Sequence, residues 1–515
     1  MKKHIYILAV LFLSSTFISS ISAQQDTELI QKIDSLSSAV FTSWSCPGMA
    51  VAVVKDGEVI FKKGYGVSDV NTQGKVDANT LFAVASITKT FTSTSLMMLQ
   101  EQKALSVDDK VVKYIHDFQL YDPYVTQNMT IRDLLCHRSG LKTFSGDLIW
   151  YGTDYSRNEV IRRARYLKPE YGFREHFGYS NILFLTAGQI IPAVCDTSWD
   201  RFLKYRIFGP LGMNRTITST NDLRRLGNYA SPHNILDNST IMAIPWQNWD
   251  NIGPAGSIIS SVNDMSKWII MQLNQGTYKG KQFFDPESQQ EMWSLHTPTQ
   301  VSEFSRYYWP DIHFKGYGLG WSLSDYGGRK IVAHNGGYDG MISQCVLIPE
   351  ENMGFIVLTN ANSWLYMPMM YSLLDALLKD KIEDWNELFI KIKKRQDAAD
   401  NDAKEEFYNS KVEKAPPSLA LEEYTGIYHC DIYGDVRVFM SKNELWLDMT
   451  HTKIFSGKLT HFHYNTFLIE FKSVPSLPVG TVTFYINSEG LAESLEIFVD
   501  NPDFDFTEFD FRRNF

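Results

Sequence analysis

Cysteine is scarce in this chain. Five residues (Cys46, Cys136, Cys195, Cys345 and Cys430) are scattered through 515, with no C-x-x-C pair and no metal-ligand spacing. They read as buried small hydrophobes, and an odd number leaves at least one thiol unpaired. No metal and no cofactor is expected. Basic charge is also short: 49 Lys and Arg stand against 59 Asp and Glu, a formal charge of −10. Nucleic acid is thereby excluded as a partner. Long apolar runs are missing too, since no segment beyond the N-terminus approaches the ~20 residues of a membrane span. There is no internal repeat and no long stretch of disordered composition. What the chain does have is 44% apolar and 14% aromatic residues over a length that fits two or more domains with sizeable cores.

The first residues read as a secretory signal. Lys2 and Lys3 precede an apolar run from Ile5 to Leu13, and small residues follow as far as Ser22-Ala23-Gln24. Residues 1–23 are therefore expected to be removed, leaving a secreted or periplasmic protein with no membrane span; an uncleaved anchor is the alternative.

Past the leader, helical spacing over Glu28–Ser43 gives way to two apolar runs, Gly48–Val54 and Val59–Gly64, around Asp56-Gly57. That pattern predicts a β-hairpin. Helices are expected at Ser86–Gln102, Thr130–Cys136, Asn181–Val194, Asp200–Phe208, Ser261–Leu273 and Tyr366–Leu378, and short strands at Gly318–Leu323, Lys330–His334, Met341–Pro349 and Gly354–Thr359. A chain that begins and ends in strands with helices between them predicts an antiparallel sheet joined from both ends beside a helical region. Residues 24–380 form this domain. Residues 381–418 read as a charged helical linker broken by Ala415-Pro416-Pro417-Ser418. Residues 419–515 alternate apolar and polar positions in short runs, predicting a small all-β sandwich or barrel.

Chemistry is concentrated in three short stretches. Ser86-Ile87-Thr88-Lys89 puts a serine and a lysine three residues apart on one helical face, within reach of each other. A serine needs a neighbouring base to become a nucleophile. A lysine serves as that base once burial and the helix N-terminus lower its pKa. A chain this long carries roughly two S-x-x-K matches by chance. The second, Ser139-x-x-Lys142, sits in a turn without an apolar lead-in and is set aside. Tyr179-Ser180-Asn181 lies at a loop-to-helix junction. Its phenol could shuttle protons beside a cation that lowers its pKa, and its amide could bind Lys89 and a substrate carbonyl. His334-Asn335-Gly336-Gly337 ends an apolar strand, where glycines let backbone approach a substrate closely. Each of the last two stretches, taken alone, fits ordinary packing.

Together and in this order, Ser86-x-x-Lys89, Tyr179-x-Asn181 and His334-x-Gly336 resemble the three signatures of the serine β-lactamase/penicillin-binding-protein superfamily, closest to its class C β-lactamase-like hydrolases. Flanking text agrees: TIRDLLCHRSGL, FGPLGM, GPAGSIISSVNDMSKW and GYGLGW. The resemblance runs from about Asp26 to Leu378. It implies an α/β (α+β) fold, an antiparallel sheet flanked by helices plus a helical region, with the site between them. It also implies that Ser86 is acylated, Lys89 is its base, Tyr179 shuttles the proton and Asn181 positions substrate. His334, Gly336 and Gly337 would bind substrate along their strand, with the N–H groups of Ser86 and Gly337 as oxyanion hole. His334 departs from the lysine usual in lactamases, and a neutral imidazole binds a substrate carboxylate less well. The C-terminal part is similar to the lipocalin-like domain appended to some members. The expected function is a serine hydrolase acting through an acyl-enzyme on amide or ester bonds of a small molecule or peptide (D-amino-acid peptides, esters or β-lactams). The alternative is a non-catalytic binding or sensor protein on the same scaffold. Oligomeric state is left open.

Overall fold

A computed structural model describes residues 26–236 and 240–514; the expected signal segment lies outside the described residues. Helix α1 (26–43) leads into β1 (Gly48–Lys55) and β2 (Glu58–Gly66), joined by a tight turn with Asp56 and Gly57 both at positive φ. The rest of the main sheet comes from far down the chain: β3 (Thr297–Thr299), β4 (Lys315–Tyr317), β5 (Ser322–Tyr326), β6 (Arg329–Tyr338), β7 (Met341–Ile348) and β8 (Met353–Thr359). The strand order is β2-β1-β8-β7-β6-β5-β4-β3, and every pair is antiparallel. The pairing of β1 with β8, Met49 opposite Thr359, joins the two ends of the domain.

The composition of β1 follows from this central place. Its first seven residues are all buried, so it is a continuous apolar run rather than an alternating one. Alternation survives as a choice of partner, because successive side chains point to opposite faces. Met49, Val51 and Val53 join the core under α1 and the helix Tyr366–Leu378, with Leu365, Met369 and Leu373. Ala50, Ala52 and Val54 join the opposite core, with Phe91, Met265 and Ile269 of two other helices.

That second core surrounds α2 (Thr88–Glu101), a helix rich in Ser and Thr yet buried at twelve positions. Three of its hydroxyls are satisfied locally: Thr90 donates to the Ile87 carbonyl, Thr94 to Thr90 and Ser95 to Phe91. Phe91 stacks on Trp268 of the helix Val262–Leu273 with 3.7 Å between ring centroids. Helix α3 (Asn181–Val194), N-capped by Ser180, lies beside α2 in the helical region. The segment expected as one helix over Asp200–Phe208 is instead the helical turn Trp199–Phe202 followed by a π-helical turn, Leu203–Phe208, and Gly209–Leu211. Among the described residues no single helix is long and apolar enough to cross a membrane.

After the helix Tyr366–Leu378, the long helix Trp385–Asn409 runs to the C-terminal part with only Trp385 and Phe389 buried. Eight strands from Gly426 to Arg513 then close into an antiparallel barrel. Two of them are Ser456–His463, which bridges the strands on either side of it, and Phe511–Arg513, which pairs with the first strand and closes the barrel. The barrel docks on residues 142–163 of the helical region. Phe504 packs on Tyr151 at 4.4 Å, Ile454 meets Gly152, and the Arg163 guanidinium donates to the carbonyls of Asp431 and Ile432.

Candidate active site

Ser86 sits in a 3-10 turn, Ala85–Ile87, that enters α2 from the end of a short extended segment. Ala85 is held at φ +45°, a left-handed conformation that costs a non-glycine residue ~1–3 kcal/mol. The rigid packing around it fixes this geometry and turns the Ser86 side chain out of the core. As the second residue of the turn, Ser86 has a backbone N–H with no intrahelical acceptor.

Lys89, one turn on, is fully buried. Its Nζ lies 3.2 Å from Ser86 Oγ, 2.7 Å from Asn181 Oδ1 and 2.8 Å from the Ala255 carbonyl. Burial pulls the amine down to about 7, opposed by the charge of Asp147. The sequence-derived site residues Ser86, Lys89 and Asn181 therefore meet as expected. Lys89 also sits over the faces of Tyr179 and Phe184, 4.6 and 5.5 Å from their centroids.

Tyr179 is brought to Ser86 as well, with its hydroxyl interacting with the serine. The motif alone predicts a cation beside the phenol that lowers its pKa. The cation instead meets the ring face, and burial raises the phenol above its ordinary value. Tyr179 is thus a protonated donor at neutral pH.

His334 is a correction. It was expected to line the substrate-docking strand, but its side chain is buried with both ring nitrogens engaged inside the protein. Tyr317 Oη lies 2.7 Å from Nε2 and the Asn335 carbonyl 2.6 Å from Nδ1. A carbonyl only accepts, so Nδ1 carries the proton and Nε2 accepts from Tyr317. Burial and the charge of Lys89 hold the ring at about 3, neutral under ordinary conditions. It braces the strand instead of reaching for substrate.

The glycines that follow have separate tasks. A Cβ on Gly336 would sit 2.2 Å from the Val84 carbonyl oxygen and 2.9 Å from the Ser86 nitrogen, so only glycine lets β6 lie this close to the nucleophile. Gly337 has its backbone on the open edge. Strands β5 and β6 are joined by Gly327-Gly328, both at positive φ, a two-residue turn that makes Tyr326 and Arg329 a hydrogen-bonded pair. Counting by twos, Asn335 and Gly337 face the same edge, but β5 pairing ends at Ser322 opposite Ala333. Their backbone groups are left at the cleft beside Ser86.

Four contributors carried no local signal as chemistry. Asp147, buried, accepts from Asn181 Nδ2 at 2.7 Å and Trp150 Nε1 at 2.8 Å, and burial raises its carboxyl to about 7. Ala255, in the turn Gly253–Gly256, supplies only its carbonyl. Tyr317 orients His334. His137, at φ +58°, accepts the Ser180 N–H on Nδ1 at 3.0 Å and packs its ring 4.3 Å from that of Tyr179. Burial keeps it neutral, well below the usual imidazole range. The flanking text TIRDLLCHRSGL, GPAGS and GYGLGW contains the last three, so the pattern was visible while the roles were not. The other S-x-x-K match is not a pair: Ser139 Oγ accepts from Leu141 N, and Lys142 is salt-bridged to Asp505.

Comparison with known proteins finds named relatives. The beta-lactamase family model matches residues 34–376, and a family described as a domain of unknown function, DUF3471, matches residues 410–513. The chain is 30% identical over 429 residues to a protein named unguisins hydrolase ungD' from Aspergillus campestris (strain IBT 28561), covering 79% of this chain and 77% of that one. It is 27% identical over 344 residues to protein flp of Staphylococcus aureus (strain MRSA252), covering 66% of this chain and 64% of that relative's length. Among solved structures, the octameric penicillin-binding protein homologue from Pyrococcus abyssi superposes with a TM-score of 0.60 at 21% identity, covering 94% of this chain and all of that one, a likeness of fold. The chain belongs to the beta-lactamase family, within the serine β-lactamase/penicillin-binding-protein superfamily, and is a serine hydrolase.

Proposed function

We propose that the protein hydrolyses amide or ester bonds through an acyl-enzyme on Ser86. The observation that carries this reading is the set of partners around Lys89. A neutral amine has two N–H donors and one lone pair. The carbonyl oxygens of Asn181 and Ala255 take the two donors, which leaves the lone pair for the Ser86 hydroxyl. Attack by Oγ on a substrate carbonyl then moves the serine proton to Nζ, and the N–H groups of Ser86 and Gly337 receive the oxyanion. The protonated phenol of Tyr179 delivers a proton to the departing amine or alcohol, and the proton held by Lys89 restores it. Water enters by the same path reversed and frees the acid.

The neutral, inward-facing His334 offers no charge to a substrate carboxylate. The reading therefore favours peptides and esters without a free carboxylate at that point over penicillins. The name of the Aspergillus relative, a hydrolase, is in keeping with hydrolysis as the reaction. The N-terminal leader supports export, with substrate met outside the cytoplasm.

Intact-mass analysis after incubation with a fluorophosphonate and, separately, with penicillin tests the reading. A single fluorophosphonate adduct on Ser86, absent from Ser86→Ala, with slow or no penicillin adduct, is the expected result. A folded Ser86→Ala variant that keeps its esterase activity would refute it, and so would a wild type that no probe acylates; the latter points to a binding protein on this scaffold.

A further inference from the structure

The loop 142–147 touches the reacting groups on two sides. The Tyr179 N–H donates to Thr143 Oγ1 at 3.2 Å, the Phe144 N–H donates to the Tyr179 carbonyl at 2.8 Å, and the two rings meet edge-on at 5.5 Å. Asp147, at the loop's end, holds the Asn181 amide. No regular secondary structure stiffens this loop. Phe144 and Gly146 both have positive φ, and only the single helical turn Asp147–Trp150 follows. A Cβ at Gly146 would fall 2.6 Å from Leu167 Cδ1, so the turn is also tightly enclosed.

What holds the loop from outside is the barrel. Glu508 Oε1 accepts from Ser145 Oγ at 2.6 Å, and Oε2 accepts from the Gly146 N–H at 2.8 Å. Asp505 pairs with Lys142. Asp505 caps and Glu508 ends a 3-10 turn, Phe506–Glu508, whose Phe506 is buried in the barrel against Phe455 and Phe471 at 5.4 and 5.7 Å. The clamp is therefore anchored in the barrel core and grips a loop without regular secondary structure.

We infer that the C-terminal barrel is a working part of the active site, with Glu508 as a positioning residue that fixes the 142–147 loop and through it Asp147, Asn181 and Tyr179 against Ser86 and Lys89. The catalytic consequence rests on the hydrolase reading above; the mechanical coupling does not. Without the Glu508 carboxylate, the buried Ser145 hydroxyl and the Gly146 N–H lose their acceptor, and water must enter to satisfy them. Lys89 is faced by Asp147, Tyr179, His137 and His334, Asp147 by Lys89 and Asp503, and Glu508 by Lys142 and Asp505. Water beside Asp147 favours its carboxylate. That charge and the wetter surroundings both favour the Lys89 ammonium, so the pH at which acylation is half-maximal moves up.

The test uses the full chain with Glu508→Ala and Glu508→Gln. Fluorophosphonate acylation of Ser86 is followed by intact mass from pH 5 to 10, and amide hydrogen exchange is read in peptides covering 142–151 and 178–185. Glu508→Ala should acylate about tenfold slower at pH 7, with its midpoint up by about one pH unit and faster exchange in both peptides. Glu508→Gln keeps an oxygen for Gly146 and an amide donor for Ser145, and should stay within about threefold of wild type. An unchanged rate and midpoint in Glu508→Ala overturns the inference, as does faster exchange confined to 142–151. If the wild type is not acylated at Ser86, the hydrolase reading fails, and exchange in 178–185 alone decides the positioning role. Should Glu508→Ala fail to fold, Ser145→Ala removes one of the two bonds from the loop side, and a midpoint that does not rise in that variant overturns the inference.

Discussion

Replacing Lys89 by methionine should change how stability depends on pH more than it changes stability at pH 7. The native amine titrates at about 7 against 10.5 for an ordinary lysine. Below pH 7 native and unfolded chains both hold the proton. Above it the native state has released the proton while the unfolded chain keeps it until about 10.5, so stability rises with pH across this window. Each pH unit is worth about 1.4 kcal/mol, and the wild type should gain on the order of 5 kcal/mol over Lys89→Met between pH 7 and 10.5. At pH 7 the two proteins should be closer, because methionine relieves the cost of burying an amine but leaves the oxygens of Asn181 and Ala255 without a donor, at about 1–3 kcal/mol each. Urea unfolding of both proteins at pH 7, 8, 9 and 10 measures the difference. A difference that stays flat or narrows with pH would mean that Lys89 is charged in the native protein, and its role as base would have to be withdrawn.

Gly336→Ala should lower acylation by about a hundredfold or more while leaving a folded protein, since the new methyl meets the Val84 carbonyl and Ser86 nitrogen, backbone atoms that move only at a cost of ~1–3 kcal/mol; circular dichroism and probe labelling together check it. His334→Gln should leave the pH midpoint of acylation where it is, because the imidazole is already neutral with its carboxylate-binding role absent; a lost or shifted midpoint would make His334 the titrating group. A chain ending at Ser418 should fold poorly or melt well below the full protein, because it strips Phe504 and Phe455 from Tyr151 and Glu508 from the 142–147 loop; a truncated chain with wild-type melting and acylation would show the barrel to be an independent appendage.

The elements that were legible in the sequence are those whose neighbours in the chain determine them. The helices Asn181–Val194 and Tyr366–Leu378 appear with the bounds their apolar periodicity gave, and Thr130 with Asp133 forms the capping box that its spacing predicts. The strand Ser456–His463 was missed because glycine, two histidines and a bulge between His461 and His463 interrupt its alternation. Phe511–Arg513 is three residues long, and only the need to close the barrel makes it a strand. At the site, side chains in the three short motifs could be named, but contributions made by distant backbone or by tertiary burial could not. Asp147 is an unremarkable acid in GDLIW until Asn181 is packed on it, and Ala255 has no side chain to betray its carbonyl. The orientation of His334 follows from which face of β6 meets Tyr317, which its own strand pattern does not specify.

The central claim is that a neutral, buried Lys89 activates Ser86. The most direct measurement is the rate of fluorophosphonate acylation at Ser86, by intact mass and peptide mapping, from pH 5 to 10. A single adduct on Ser86 is expected, with a rate that rises with pH to half its plateau near 7, the value set by the buried amine beside Asp147. A rate independent of pH, a midpoint near that of a free lysine, or an adduct on another residue would contradict it.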